Sequence, residues 1–137
     1  MRIMTFSKAK IEEKSKVEKF DKQLAELVDQ ELVYVLRDQN QVVGVLQYRL
    51  FWQKIPFIEH LYIDEKYRGN DYGTCMMVQW EDEMANRGYT DVMLSTEETE
   101  TAKEFYLKIG YKQTGSFLPP NQKSSELMFS KHIKREC

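Results

Sequence analysis

The spacing of apolar residues along the chain predicts alternating strands and helices. Apolar residues recur at helical spacing over residues 16–30, 73–86 and 99–109, and Gly88 and Gly110 supply C-terminal stops for the last two helices. Short runs rich in β-branched and aromatic residues predict strands at 2–6, 31–37, 41–52, 57–63, 91–95, 111–117 and 125–133.

The order of these elements predicts a mixed α/β fold with one central sheet. A hairpin around the turn at 38–40 precedes a strand–helix–strand–helix segment and two final strands, which is the arrangement of a sheet flanked by helices. Residues 57–95 form a right-handed βαβ unit if their two strands are parallel. A length of 137 residues fits a single domain over 1–137.

Composition argues against several classes of function. Twenty basic and 22 acidic residues leave a net charge of −2, which does not suit a nucleic-acid binder. There is no apolar run of the roughly 20 residues that a membrane span needs, and the N-terminus lacks a signal-peptide pattern. Cys75 and Cys137 have no metal-binding spacing. We expect a cytoplasmic protein, monomer or homodimer, without a metal, a membrane or a nucleic-acid partner.

Candidate chemistry begins at residues 67–74, which read YRGNDYGT between a predicted strand and a predicted helix. A helix N-terminus offers unpaired amides and partial positive charge, so such a turn can hold phosphates. Gly69 and Gly73 permit close backbone approach, and Thr74 adds a hydroxyl. The same residues also fit an ordinary capped turn, and the charge of Asp71 opposes an anion. The motif alone leaves both interpretations open.

Two longer stretches carry a resemblance to a known family. RGNDYG at 68–73 resembles the arginine-or-glutamine-x-x-Gly-x-Gly signature of the GNAT N-acetyltransferase superfamily, and the preceding LYIDEKY looks like its fourth strand. TETAKEFYLKIGY at 99–111 resembles its second signature. The resemblance runs from about residue 33 to 117. It implies a mixed, mostly antiparallel sheet of six to seven strands, whose fourth and fifth strands, here 57–63 and 91–95, splay apart.

The resemblance also implies a site for acetyl-CoA as the acyl donor. The pantetheine arm would enter between the splayed strands and pair with backbone groups of Leu61, Tyr62 and Ile63, one of which would polarise the thioester carbonyl. Thr99 and Ala102, from the second signature, would border it, although Thr99 stands where the family usually has asparagine and is expected to cap the helix. The residues implied for the pyrophosphate are Arg68, Gly69, Asn70, Asp71, Tyr72, Gly73 and Thr74.

Direct attack by an amine raises two proton problems. A lysine-like amine lies about three pK units from deprotonation at pH 7, so a base must accept its proton. Glu59 is the candidate, with His60 as the alternative; the ordinary interpretation of Glu59 is an exposed strand residue. Tyr106 matches the family's tyrosine that protonates the leaving thiolate, and otherwise it is a core aromatic. Trp52, Glu59 and Ser95 are the candidate acceptor-binding residues.

The predicted function is acetyl-CoA-dependent N-acetyl transfer to a primary amine of a small molecule or peptide, in a ternary complex. Asp71 and Thr99 depart from the family pattern, so an acyl-CoA-binding module with little or no catalysis is the alternative. An interaction domain that kept the fold without the ligand is a third. We expect Asp71 to weaken acetyl-CoA binding, or to cap the helix by bonding its first amides through the carboxylate.

Overall fold

The computed structural model describes residues 4–133, which form four α-helices and a seven-stranded sheet. No helix in this range is long and apolar enough to cross a membrane. The strands are β1 (Met4–Lys8), β2 (Val33–Asp38), β3 (Gln41–Phe51), β4 (Ile55–Ile63), β5 (Asp91–Glu97), β6 (Lys112–Phe117) and β7 (Glu126–His132). The α-helices are α1 (Lys14–Glu18), α2 (Leu24–Val28), α3 (Tyr72–Asn86) and α4 (Ala102–Lys108), and short 3₁₀ turns cover Ile11–Glu13 and Glu65–Tyr67.

The sheet confirms the predicted fold class. Its strand order is β1-β2-β3-β4-β5-β7-β6, and it is mostly antiparallel. The exception is the parallel pair of β4 and β5, in which Phe57 faces Met93 and Ile58 faces Leu94. The helix α3 therefore connects two parallel strands, so the condition for a βαβ unit over 57–95 is met. The splaying of these strands and the single domain stay predictions.

The predicted helix over 16–30 is wrong in one respect, because it is broken into α1 and α2. The break lies at Asp21, whose carboxylate accepts a hydrogen bond from the Gln23 amide at 3.0 Å. The Asp21 carbonyl also accepts from the Leu24 amide at 3.1 Å. Aspartate competes with helical bonding through such local contacts, so a continuous apolar stripe did not give a continuous helix.

Two hairpin turns use left-handed backbone at residues other than glycine. The predicted turn at 38–40 is confirmed, with φ of 51° at Gln39 and 73° at Asn40. A second turn, not predicted, has φ of 54° at Trp52 and 58° at Gln53. After this second turn, β4 begins at Ile55, whereas the sequence predicted a start after Pro56. The predicted first strand, 2–6, is observed as β1, and its residues 2 and 3 lie outside the described residues.

The helix predicted over 99–109 starts later, at Ala102. The Glu100 amide bonds the Glu97 carbonyl at 2.9 Å, so the chain turns tightly before the helix can begin. Thr101, not Thr99, precedes the first helical residue, and its side chain makes no capping bond. The predicted capping role of Thr99 is therefore wrong. The predicted stop is confirmed, since Gly110 follows the helix with φ of 100°.

The chain forms two compact units, each with its own packed interior. The first comprises the described residues through Arg49 together with Glu59–Trp80. Its helices α1 and α2 pack on β2 and β3 through the buried residues Val17, Leu24, Leu27, Val28, Val33, Val35, Val42 and Val45. The second comprises Leu50–Ile58 and the described residues from Glu81 onward. Its most buried residues include Val92, Leu94 and Phe129 from β5 and β7.

Candidate functional site

The turn between β4 and α3, residues 64–71, leads into the first turn of the helix and is hydrogen-bonded to its own unit. The Asp64 amide donates to the Val43 carbonyl at 2.8 Å, and the Asp64 carboxylate accepts from the Lys66 amide at 3.2 Å. The Tyr67 hydroxyl donates to Asp38 at 2.7 Å. These bonds fix the path of the turn before any ligand binds.

The same turn leaves a run of backbone amides without acceptors. Within residues 4–133, no amide from Gly69 to Thr74 donates to a protein group. The Arg68 amide, which the sequence also assigned to a phosphate, is taken by the Glu65 carbonyl at 3.3 Å. Gly69 has φ of 79°, and a Cβ added there would have no heavy atom within 4 Å. Free amides at the start of a 15-residue helix are a favourable site for an anion.

Asp71 lies immediately before α3, but it does not cap the helix in the predicted way. Its backbone carbonyl accepts from the Cys75 amide at 3.1 Å, and its φ is 62°. In the described part of the chain its carboxylate makes no bond to the helix amides. Side chains that cap helices sit on extended backbone, whereas Asp71 is left-handed, so the expected carboxylate cap is wrong. The amides therefore stay free, with an exposed negative charge beside them.

The end of β4 carries the backbone groups predicted to meet pantetheine, at Leu61, Tyr62 and Ile63. One of these groups is already engaged, since Arg68 donates from Nε to the Ile63 carbonyl at 3.1 Å. Asn70 in turn donates from its amide group to the Arg68 carbonyl at 3.1 Å. The structure thus brings the strand end and the turn together through Arg68.

Glu59, on β4, is held by two residues of β3. Its Oε1 accepts from Gln47 Nε2 at 2.7 Å and from Arg49 Nε at 3.0 Å. Its side chain is 35% exposed. Sequence reasoning singled out Glu59 but missed Gln47 and Arg49. The only available signal was that these two polar residues alternate along a strand, which places them on one face.

His60 and Tyr62 form a stacked pair with ring centroids 5.4 Å apart, and the Tyr62 hydroxyl lies 2.9 Å from His60 Nδ1. Burial, and secondly the charge of Asp21, raises the pKa of the Tyr62 hydroxyl. Tyr62 also packs against the α1–α2 core. His60 is half-buried, and its ring contacts Tyr62.

In the second unit, Tyr106 lies on α4 among aromatic rings. Its centroid is 5.9 Å from that of Tyr111 and 6.2 Å from that of Phe129. Burial raises its pKa to about 12, so the phenol is neutral throughout the physiological range. No hydrogen-bond partner for its hydroxyl occurs in the part of the chain that the structure describes. Tyr106 is therefore a buried aromatic whose hydroxyl donor is unused in this range, and its catalytic role stays a prediction.

A buried charged cluster packs beside Tyr106 and was not predicted. Tyr111 donates from its hydroxyl to Glu81 at 2.8 Å, and Lys131 donates to the other oxygen of Glu81 at 2.8 Å. Lys131 also donates to the Ile109 carbonyl at 2.9 Å, at the end of α4. Burial, then the nearby charge of Glu81, strongly raises the pKa of Tyr111. The three residues are far apart in the sequence, so no local pattern could reveal them.

The remaining candidate residues of the second unit lie on different elements. Ser95 donates from its hydroxyl to Glu126 at 2.8 Å. Trp52 is 76% exposed at the tip of its hairpin and contacts Phe51, with ring centroids 4.8 Å apart. Thr99 and Ala102 lie, respectively, in the turn before α4 and at its first residue. Their roles stay predictions.

Comparisons with known proteins agree with this architecture. A model of the acetyltransferase (GNAT) family matches residues 3–111. A comparison with curated protein sequences gave no significant match.

Solved structures share the fold along nearly the whole chain. An acetyltransferase of the GNAT family from Bacillus cereus ATCC 10987 has a TM-score of 0.81 at 16% identity, covering 97% of this chain and 99% of that one. The ribosomal-protein-S18-alanine N-acetyltransferase from Escherichia coli has a TM-score of 0.79 at 10% identity, covering 98% and 97%. The PaiA N-acetyltransferase from Thermoplasma acidophilum, in complex with coenzyme A, has a TM-score of 0.78 at 15% identity. The match covers 95% of this chain and 99% of that one.

At these identities the structural likeness shows the fold alone. The family model is the stronger finding, because it spans most of the chain and includes both signatures, 68–73 and 99–111. The chain belongs to the acetyltransferase (GNAT) family.

Proposed function

We propose that the protein is an N-acetyltransferase that moves the acetyl group of acetyl-CoA to a primary amine. The observation that carries the proposal is the continuous run of unpaired amides from Gly69 to Thr74, held in an anchored turn at the start of α3. A pyrophosphate fits such a run, because each amide donates without reorganisation of the backbone. The PaiA relative in complex with coenzyme A supports the choice of acyl donor.

The proposed phosphate contacts come from backbone amides, and the neighbouring side chains raise or lower the affinity for the phosphates. Gly69 leaves the approach open, while the carboxylate of Asp71 opposes a phosphate charge. At about 5 Å and an effective dielectric near 20, that repulsion reaches roughly 3 kcal/mol, and less where water intervenes. We infer weaker acetyl-CoA binding than a glycine at this position would give.

Glu59 is the proposed base for the acceptor amine. Deprotonating a lysine-like amine at pH 7 costs roughly 4–5 kcal/mol, so the site must take up that proton. Since Oε1 of Glu59 already accepts two hydrogen bonds, the proton goes to Oε2. The neutral amine nitrogen then attacks the thioester carbonyl carbon, and the C–S bond breaks.

Tyr106 is the proposed donor to the leaving sulfur. Its hydroxyl has no other use in the described residues, and its pKa of about 12 keeps the proton available at neutral pH. With so high a pKa, Tyr106 acts by hydrogen-bonding the sulfur as negative charge develops. After attack the nitrogen loses a second proton, which neutralises the thiolate, so CoA leaves as the thiol and the first proton passes from Glu59 to solvent.

The second candidate function is acyl-CoA binding with little or no catalysis. The specific observation in its favour is the charge of Asp71 beside the free amides, together with the engagement of the Ile63 carbonyl by Arg68. Both features weaken contacts that a fast enzyme would need.

Thermal unfolding with millimolar acetyl-CoA separates these functions when it is followed by a CoA-release assay with a panel of amines. Ligand at one hundred times its dissociation constant adds about 2.7 kcal/mol, which raises Tm by roughly 5–10 °C at this size. A rise in Tm with CoA release supports the enzyme. A rise without release from any amine supports the binding module. No rise would contradict the proposed use of the turn at residues 69–74.

A further inference from the structure

The cluster of Gln47, Arg49 and Glu59 has binding capacity that the fold does not use. Arg49 engages Glu59 only through Nε, and within residues 4–133 its two terminal nitrogens have no partner. Its side chain is 49% exposed. Oε2 of Glu59 is likewise without a partner in that range. A guanidinium fork and a carboxylate oxygen are thus presented together.

Gln47 makes this arrangement rigid and leaves it incomplete. It is fully buried and holds Glu59 through Nε2 at 2.7 Å, while the same nitrogen donates to the Tyr48 carbonyl at 3.2 Å. Its Oε1 is buried and has no donor among the described residues. Buried acceptors are almost always paired, and Oε1 of Gln47 is an exception among the described residues.

The charges of the cluster define what can complete it. A lone carboxylate would attract any cationic amine, but Arg49 lies 3.0 Å from Glu59 and makes the pair neutral. A second positive charge on an acceptor would face the guanidinium and be repelled. An acceptor with a carboxylate near its amine meets both halves of the pair.

We propose that the acceptor is zwitterionic, a free amino acid or an amine with an adjacent carboxylate, and that Arg49 and Glu59 select it. This inference rests on the proposed function. The acceptor carboxylate lies on the terminal nitrogens of Arg49, a geometry that suits two parallel hydrogen bonds. The ammonium donates to Oε2 of Glu59.

The reaction then balances within the proposed mechanism. The ammonium transfers a proton to Glu59, the amine nitrogen forms a bond to the acetyl carbon, and the carbon–sulfur bond breaks. After attack the nitrogen loses a second proton, which neutralises the thiolate, while the first proton passes from Glu59 to solvent. The product amide carries no ammonium, so its attraction to Glu59 is lost and release is favoured.

The test compares amino acids with their decarboxylated amines as acceptors in the CoA-release assay. Matched pairs are phenylalanine with phenethylamine and alanine with ethylamine. We expect kcat/KM to be at least tenfold higher for each amino acid. Equal or faster use of the decarboxylated amines would overturn the inference while leaving the proposed function intact.

Variants of Arg49 assign the preference to this residue. Arg49→Met should remove the preference by lowering kcat/KM for the amino acids only, and Arg49→Lys, which keeps the charge without the fork, should leave part of it. Lys112→Met, at an exposed position on β6, is the control for loss of one positive charge. A preference that survives Arg49→Met would contradict the proposal.

Calorimetric titration of phenylalanine into the protein saturated with coenzyme A keeps the test independent of turnover. Binding that phenethylamine does not match, and that Arg49→Met weakens at least tenfold, would support the inference even if no CoA were released with any acceptor. Absence of phenylalanine binding at tens of millimolar would overturn it. Failure of the proposed function shows separately, as a lack of CoA release with every amine tested, whether or not acetyl-CoA raises Tm.

Discussion

Two arginine–glutamate pairs in the first unit show how the same chemistry can serve different ends. Arg37 and Glu13 meet at 2.7 Å through two parallel bonds, and their side chains are only 8% and 7% exposed. Arg49 and Glu59 share a single bond at 3.0 Å, and their side chains are 49% and 35% exposed. Both arginines lie on strands of the same sheet, so their location alone does not distinguish them.

The difference lies in how much hydrogen-bonding capacity remains. Arg37 also donates to the Ser7 hydroxyl at 2.7 Å and to the Lys8 carbonyl at 3.1 Å, while Glu13 accepts from the Lys10 amide at 2.8 Å. The fold thus uses the whole pair to join β1, the 3₁₀ turn and β2. A pair with unused donors and acceptors at the surface is instead a candidate for ligand binding.

Removing the buried cation should have the largest effect on stability. Arg37→Met leaves Glu13 buried without its partner, and breaking one side of such a pair costs about 3–5 kcal/mol. Arg49→Met, the matched control, should change the free energy of unfolding by no more than about 1 kcal/mol, because exposed pairs contribute little. Urea denaturation measures both. Equal losses of unfolding free energy in the two variants would contradict the contrast between the buried and the exposed pair.

The pH dependence of stability tests the same pair by another route. The hydrogen bond from Arg37 outweighs burial and lowers the pKa of Glu13 below its usual value of 4.5. A depressed folded-state pKa means that the stabilisation is present above the unfolded value and is lost as pH falls through the folded one. We expect the acid loss of stability below about pH 4.5 to be shallower in Glu13→Gln than in the wild type. If Glu13→Gln lost stability at low pH as steeply as the wild type, the loss could not be attributed to Glu13.

The tyrosines of the second unit repeat the contrast. The hydroxyl of Tyr111 donates a hydrogen bond to Glu81, whereas the hydroxyl of Tyr106 has no partner in the described range. We expect Tyr106→Phe to lower kcat about 100-fold, equivalent to roughly 2.7 kcal/mol, with little change in Tm. Tyr111→Phe should instead cost about 1–3 kcal/mol of stability.

Steady-state CoA release and thermal unfolding of the two variants separate these roles. The acetyl-CoA dissociation constant of Tyr106→Phe should stay within twofold of the wild type. A Tyr106→Phe protein that is destabilised but fully active would make this tyrosine a core residue only.

The contrast also explains which features could be predicted from sequence. The parallel pairing of β4 and β5 joins residues far apart in the chain, so the sequence left it open. Periodicity and the stop at Gly88 located α3, and a short apolar run located β5, because each depends on residues close in the chain. The two signatures placed Tyr106 and the turn at residues 68–74 for the same reason. The break in the first helix depended on one side chain, Asp21, choosing a local bond over helix continuation.

The partners of the candidate residues were beyond such reasoning. Glu81, Tyr111 and Lys131 meet across three elements, and Arg49 reaches Glu59 across a hairpin whose turn was not predicted. Whether a polar group is consumed or left free depends on these distant contacts. The candidate polar groups are therefore predictable from sequence. Only the structure distinguishes a group that already has a hydrogen-bond partner from one that has none.

Asp71 offers the smallest and most specific test, because it adds an exposed charge where the amides are unused. Asp71→Gly removes that charge and also relieves the left-handed backbone, so acetyl-CoA should bind about five- to tenfold more tightly, equivalent to roughly 1–1.4 kcal/mol. Asp71→Asn is the matched control, since asparagine tolerates the same backbone without the charge. If repulsion is the cause, both variants tighten binding by a similar factor, and high salt narrows their advantage over the wild type. Tighter binding in the glycine variant alone would assign the effect to the backbone, and looser binding in both would mean that the carboxylate helps to hold the donor.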